Sequence, residues 1–234
     1  MSEDPLSDDR IVESWRTNAT PWTEVIRDRG IESRNVVTND AIVDAVLSRS
    51  PGSVLDIGCG EGWLVRALAA HGVKGTGVDV VPELIAAAAQ AGGGDFQVAS
   101  YEMIAAGDFH VSVDVAVANF SLIGKDAVDG VVGRMPGIIE PGGSFIVQTL
   151  HPLTACGDLP YQTGWRSGSW AGFSDAFSDP APWYFRTMQS WLDLFADTGL
   201  RLVEVREPVN PRTGKPASVI FITEPACQSI GTAI

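Results

Sequence analysis

At 234 residues, 45% of them hydrophobic, the chain is long enough for one domain with a sizeable core and too apolar for global disorder. Twenty-nine acidic residues against 16 basic ones give a net charge of −13, which repels phosphate backbones and anionic lipid surfaces. Cys59, Cys156 and Cys227 show no Cys-x-x-Cys spacing, so neither a disulfide framework nor a zinc site is indicated, and a reducing, cytoplasmic setting is expected.

The first ten residues are acidic and polar, unlike a signal peptide, and the apolar stretches are too short to span a bilayer. Residues 1–38 are expected to form an acidic tail and a helical cap. Within them, 10–28 reads as a helix carrying Ile11, Trp15, Trp22, Val25 and Ile26, broken in two by Pro21. Trp15 and Trp22 stand seven apart on one helical face, a spacing that assigns them to core packing. A further helix is expected from Asn39, as its cap, through Leu47.

From there the pattern alternates. Strands are expected at Ser53–Ile57, Gly75–Val80, Asp95–Ala99, Val113–Ala118 and Ser144–Leu150. Helices fall between them at Gly62–His71, Pro82–Ala91, Glu102–Ala106 and Lys125–Ile139. Strands that are almost wholly apolar suit a parallel sheet covered by helices on both faces, so the fold class is a doubly wound α/β sheet. Residues 151–183 interrupt the rhythm with a long aromatic-rich connection, the kind that covers a site. A helix at Arg186–Asp197 follows, then strands Leu200–Glu207 and Ser218–Thr223 joined through Asn210–Pro216 as an antiparallel edge hairpin. The main domain is thus 39–223, with 224–234 as a tail.

The chemistry concentrates in Val54-Leu-Asp-Ile-Gly-Cys-Gly-Glu-Gly62, a strand entering a glycine-rich turn and then a helix. Glycines there permit positive φ and close approach of a ligand to the backbone. Asp79, seventeen residues beyond Gly62, ends the next strand, where an acid accepts hydrogen bonds from ribose hydroxyls. The Gly58-x-Gly60-x-Gly62 spacing differs from the Gly-x-Gly-x-x-Gly of a dinucleotide cradle, which disfavours a pyrophosphate. It fits an adenosyl-amino acid, whose ammonium group Asp56 or the turn carbonyls could face.

This segment resembles motif I of the class I S-adenosylmethionine (SAM)-dependent methyltransferases. Gly77-Val-Asp79 is similar to that family's ribose motif, Asp114-Val-Ala-Val-Ala-Asn119 to its fourth-strand motif, and Pro141-Gly-Gly143 to the turn before its fifth strand. The look is nearest to ubiquinone-biosynthesis-type small-molecule methyltransferases. The resemblance implies a seven-stranded, mostly parallel sheet in the order 3-2-1-4-5-7-6, the last strand antiparallel. It also implies SAM as cofactor, leaving as S-adenosylhomocysteine. The expected cofactor residues are Asp56, Gly58, Cys59, Gly60, Asp79, Val80 and Asn119, with Ser100 and Tyr101 at the adenine where the family often has an Asp. Arg34, with Arg16 as the alternative, is the candidate for the SAM carboxylate, since arginine offers a bidentate fit.

Ligands in open α/β sheets sit at the carboxyl ends of the strands, which points to Ser121 after the fourth strand and His151 after the fifth. His151 is the candidate base, because His71 and His110 fall away from that edge. Tyr161, Trp165, Arg166, Trp170, Trp183 and Tyr184 are candidates to line an acceptor pocket. The expected function is metal-independent methyl transfer to a small molecule, oxygen favoured over nitrogen or carbon, by a monomer or homodimer with no nucleic-acid or membrane partner. A SAM-binding enzyme of another reaction type and a non-catalytic SAM-binding module are the alternatives.

Overall fold

In the computed structural model, which describes residues 4–226, the apolar runs form one seven-stranded sheet and a separate small hairpin. In chain order the strands are β1 (Ser53–Ile57), β2 (Lys74–Asp79), β3 (Asp95–Val98), β4 (Val113–Asn119), β5 (Ile139–Leu150), β6 (Gly164–Arg166), β7 (Trp183–Phe185), β8 (Leu200–Arg206) and β9 (Ser218–Pro225). The large sheet runs β3-β2-β1-β4-β5-β9-β8, and β6 pairs only with β7. With that hairpin set aside, the order is the expected 3-2-1-4-5-7-6. β9 lies antiparallel to both β5 and β8, and the pairs among β1 to β5 are parallel. Cys227 and most of the expected tail lie outside the described residues, and β9 continues two positions past the expected boundary at 223.

The helices are α1 (Asp8–Thr17), α2 (Ala19–Arg27), α3 (Asn39–Leu47), α4 (Trp63–Ala69), α5 (Pro82–Ala91), α6 (Tyr101–Ala106), α7 (Asp126–Arg134), α8 (Pro152–Cys156) and α9 (Met188–Asp197). Alternate strand residues point to opposite faces, so each central strand feeds two cores. On one face Leu55, Ile57, Ala116, Ala118, Phe145 and Val147 meet Ile104, Val128, Val132, Trp191 and Phe195. On the other, Val54, Val115, Val117, Ile146 and Ile222 meet Ile42, Val46, Leu64 and Leu68 from α3 and α4. Each large apolar side chain taken fully out of water contributes about 1.5–3 kcal/mol.

Several expected boundaries move. The cap breaks at Asn18, not Pro21: the Asn18 side chain donates to Ser14 O (2.8 Å) and Ser178 O (2.7 Å), ending α1. Pro21 lies in the first turn of α2, where its missing N–H breaks no helical bond. Asn39 does not cap α3, because a π-helical turn over Arg34–Thr38 runs directly into it and the Asn39 side-chain Oδ1 accepts from Arg34 Nε instead (3.3 Å). α7 stops at Arg134, where Pro136 converts the chain into a short 3-10 turn over Met135–Gly137. The strand that follows starts at Ile139 and changes register between Val113 and Val115 of its neighbour.

The amino-terminal edge of the sheet is fixed by Asp114 at the start of β4. Its Oδ2 accepts from Gly52 N (2.9 Å), Ser53 N (2.9 Å) and Ser53 Oγ (3.0 Å), and the Ser53 hydroxyl and amide hold its carboxyl below the ordinary value of 3.8. A lowered carboxyl stabilises the fold above the unfolded pKa and ceases to do so as pH falls through the folded one. Asp114→Ala is expected to cost about 1.5–3 kcal/mol at pH 7, with the loss shrinking below pH 3.8. Urea melts at neutral and acid pH check this; an equal loss at both would refute the assignment.

Candidate functional site

The turn after β1 is built by three glycines that do different jobs. Gly58, Gly60 and Gly62 all have positive φ (+74°, +57° and +82°). A Cβ on Gly62 would meet the Phe96 ring at 2.6 Å, so that glycine lets α4 start against β3. A Cβ on Gly58 would strike the Ser121 side chain and come 2.9 Å from the Tyr101 hydroxyl, so that glycine lets the turn approach the end of β4. Beside Gly60 the nearest group is Trp22 Nε1, 3.5 Å from the Cβ position. Gly58 N and Cys59 N donate to Val78 O (2.8 and 2.9 Å), and Asp79 completes the frame by accepting from Gly60 N (2.9 Å) and Val81 N (3.0 Å).

A single cavity of about 1110 Å³, counting its mouth, runs from this turn along the carboxyl ends of β1, β2 and β4 and under the cap. Gly58, Cys59, Gly60, Asp79, Val80, Ser100, Tyr101, Asn119, Ser121 and Arg34 line it, as expected for the donor side and the end of the fourth strand. Burial raises the Asp79 carboxyl, opposed by the amides of Val81, Gly60 and Val80. An ionised carboxylate has about four acceptor positions, so two amide donors leave room for ribose hydroxyls. The Asn119 Oδ1 is buried and has no hydrogen-bond partner among the described residues.

Three groups differ from their expected use. Tyr101 reaches back toward Gly58, its hydroxyl donating to Ser121 O (3.0 Å) while burial pushes its pKa up. The Ser100 hydroxyl accepts from Met103 N (3.2 Å) and caps α6. The Ser121 hydroxyl donates to Ile57 O (2.6 Å), tying β4 to β1.

The cationic side of the cavity is Arg34. Its guanidinium lies 5.0 Å from the Trp63 ring centroid and 5.8 Å from that of Trp22. Burial lowers its pKa to about 10 against the pull of Glu61 and Asp56, and its Nη2 has no partner among the described residues. Glu61, only 1% exposed, accepts from Arg66 and Arg27 at Oε2, while its Oε1 is buried and has no partner among the described residues. Arg34 and Glu61 both line the cavity, and a guanidinium and a carboxylate are complementary to the carboxylate and ammonium of an amino-acid moiety. Asp56, expected to face that ammonium, does not line the cavity. It is buried, with Oδ1 lacking a partner among the described residues, and burial, reinforced by Asp79 and opposed by Arg34, pushes its carboxyl up to about 7.

The roof divides the aromatics differently from the expectation. Trp15 and Trp22 pack on the small core of Ala19, Val81 and Leu84, as assigned, and also line the cavity, edge to face with centroids 4.9 Å apart. Trp170 packs on Trp15 at 5.8 Å, and Phe173 on Trp22 at 6.5 Å, from the outer side. Tyr161, Trp165, Arg166, Trp170, Trp183 and Tyr184 do not line the cavity. Trp165 meets Tyr184 across the small hairpin (5.5 Å), Trp183 meets Phe185 (5.7 Å), and the Tyr161 hydroxyl accepts from Met188 N (2.9 Å). Their expected role as pocket walls gives way to that of a brace, because the hairpin turns their rings onto one another.

His151 also lies off the cavity. It is buried at the end of β5, with Nε2 2.7 Å from Glu207 Oε1 and Nδ1 without a partner among the described residues. Arg16 is exposed and does not line the cavity. The sequence reading missed Ile11, Val12, Trp63, Phe120 and Ile123 on the wall. Phe120 carries φ +56°, a backbone state uncommon for a bulky residue and frequent at functional sites.

A family model described as a methyltransferase domain matches residues 32–205. An uncharacterized methyltransferase of Mycobacterium tuberculosis is 28% identical over 127 residues, covering 54% of this chain and 64% of that protein. A ubiquinone biosynthesis O-methyltransferase of Xylella fastidiosa is 29% identical over 165 residues, covering 64% of this chain and 66% of that one. The chain thus spans slightly under two thirds of either relative. Among solved structures, the DhpI–SAH complex superposes with a TM-score of 0.62 at 16% identity, over 97% of this chain and 100% of that one. That likeness establishes the fold.

The raised Asp56 carboxyl gives a pH signature. A carboxyl raised in the fold stabilises below its unfolded pKa of 3.8, and that contribution disappears as pH climbs through about 7. Thermal melts of the ligand-free protein should show Asp56→Asn flattening the decline in stability between pH 4 and 7. Superimposable curves for the two proteins would contradict the burial of an unpaired acid here.

Proposed function

Since the chain belongs to the methyltransferase-domain family, we propose that it binds SAM in the cavity beside Gly58–Gly62 and transfers the methyl group to a small-molecule acceptor. One observation carries the reading. A single cavity is lined by Asp79, held at the end of β2, and by Arg34 and Glu61, whose Nη2 and Oε1 are buried and have no partner among the described residues. These supply a ribose acceptor, a carboxylate donor and an ammonium acceptor. Bound SAM supplies an electrophilic methyl group on a sulfonium.

The chain's own part is positioning and exclusion of water. Displacement at a methyl carbon needs nucleophile, carbon and leaving sulfur in line, in a site closed to solvent. Gly58 and Gly60 bring the backbone close, Asp79 and Arg34 fix the two ends of the donor, and Trp15 and Trp22 roof the space. Asp56 stands behind the turn, where its charge balances Arg34. His151 is assigned to bracing the end of β5 against Glu207, not to proton transfer, and the oxygen preference loses its base with it.

The small-molecule reading is supported by a cavity roofed by the cap and by the net charge of −13, which opposes nucleic acid. Among the described residues no helix is long and apolar enough to cross a membrane. The free thiols of Cys59 and Cys156 fit a cytoplasmic setting. No metal enters the proposed reaction.

Calorimetric titration with SAM tests the site. Asp79→Ala and Arg34→Met should each weaken binding by about 1.5–3 kcal/mol, roughly ten- to a hundredfold in Kd. Wild-type affinity in both variants would remove SAM from this cavity.

A further inference from the structure

Phe120 directly follows β4 and lines the cavity. Its φ of +56° lies in the left-handed region, where contact between Cβ and the carbonyl oxygen disfavours a side chain of this size. Among the described residues four that are not glycine have positive φ: Arg29, Ser50, Phe120 and Asp179. Of these, Phe120 alone lines the cavity. The ring also has no part in the core. Leu122, two positions on, is 4% exposed and packed in the core, whereas Phe120 is half-buried and belongs to none of the three core clusters. Among the described residues it meets no other ring. A strained backbone and an unpacked ring both work against the fold, so packing gives no reason for phenylalanine here.

Its place is nevertheless fixed. Phe120 N donates to Gln148 O (2.8 Å), the Ser121 hydroxyl to Ile57 O (2.6 Å), and Tyr184 N to Ile123 O (2.7 Å). Arg186 holds Gly124 O (2.7 Å), and a Cβ on Gly124 would lie 3.5 Å from Ile11 Cδ1. α1 is thereby seated on the loop that carries Phe120, and Ile11, Val12 and Trp15 line the cavity together with Phe120 and Ile123. In the sheet β1 lies between β2 and β4, so this apolar wall stands two strands away from Asp79.

We infer that Phe120 is a specificity-determining residue of the acceptor subsite, and that the acceptor lays an apolar body against it. The inference rests on the methyl-transfer reading above and names the substrate class: molecules that are apolar away from the methylated atom. A ring held on a cavity wall without neighbours of its own gains contact from what enters the cavity. Asp8 and Glu102 also line the cavity and bring carboxylates to it, so the wall sets no preference between oxygen and nitrogen as the methylated atom. Selection falls on the body of the molecule instead.

The test uses the full chain saturated with S-adenosylhomocysteine, so that the donor position is filled and no transfer occurs. Two flat, neutral probes of similar size are titrated by calorimetry: 2-naphthol, with an apolar body, and adenine, with a polar edge. 2-Naphthol is expected to bind at least about tenfold tighter than adenine. Phe120→Gly and Phe120→Asn both place a residue that accepts positive φ, so the loop keeps its course. Each should weaken 2-naphthol about tenfold, the size of one aromatic contact, at unchanged affinity for S-adenosylhomocysteine, and Phe120→Gly should melt no lower than wild type. Unchanged 2-naphthol affinity in both variants overturns the inference, as does equal or tighter binding of adenine, or no binding of 2-naphthol to the complex. A parallel loss of S-adenosylhomocysteine affinity overturns it by giving the ring to the donor, and a lower melting temperature by giving it to the fold. Wild-type protein that does not bind S-adenosylhomocysteine defeats the donor assignment instead.

Discussion

Asp79 sits where the turn after β1 meets the end of β2, and its carboxylate is the joint between them. By accepting from Gly60 N and Val81 N it holds the turn in its left-handed course while Val78 O takes the amides of Gly58 and Cys59. Ser121 extends the tie to β4 through Ile57 O. Three strand ends are thereby locked into one edge, and the cavity is the space above that edge. The arrangement requires buried negative charge. Asp56 and Glu61 both act on the buried Arg34, Asp79 pushes Asp56 up, and Glu61 is also paired with Arg66 and Arg27.

The cap depends on a second, independent set of contacts. Arg10 binds both oxygens of Asp179 at 2.9 Å, and Ser14 donates to the Asp179 carbonyl. Asn18 exchanges hydrogen bonds with the backbone of Ser178, whose carbonyl also accepts from Trp170 Nε1 (2.9 Å). Arg186, 4% exposed, donates to Gly124 O (2.7 Å) and Asp129 (2.7 Å), fixing the loop that Asp8 caps. The long connection after β5 therefore acts on the site at one remove: its rings press on the tryptophans that form the roof. An aromatic-rich insertion is what this needs, since stacked rings transmit position with little loss of conformational freedom.

The sheet, its order and the residues of the glycine-rich turn that line the cavity were legible because each rests on local pattern. Apolar runs of strand length, glycines at fixed spacing and an acid at a strand end all lie within short windows, and Gly58, Gly60 and Asp79 came from them. The acceptor side was not legible for a physical reason. That Trp15 lines the cavity as well as packing on a core depends on Trp170, which packs on its ring, and on Asp179, which holds Arg10 and Ser14 of the same helix, both more than 150 positions away, and no periodicity carries that information. His151 is at the expected strand end, but its Nε2 lies 2.7 Å from Glu207, just past the end of β8, and the ring does not line the cavity. Glu61 is the instructive miss: it lies inside the recognised turn, and only its buried, half-paired state gives it a role.

Amide hydrogen exchange of the full chain, with and without saturating SAM, tests most directly whether the cavity framed by Asp79 and roofed by α1 and α2 is the donor site. The expected result is slowed exchange at Gly58–Gly62, at Val80 and Val81, and along α1 and α2, with β8 and β9 unaffected. Protection confined to other elements, or none at saturating SAM, would contradict it.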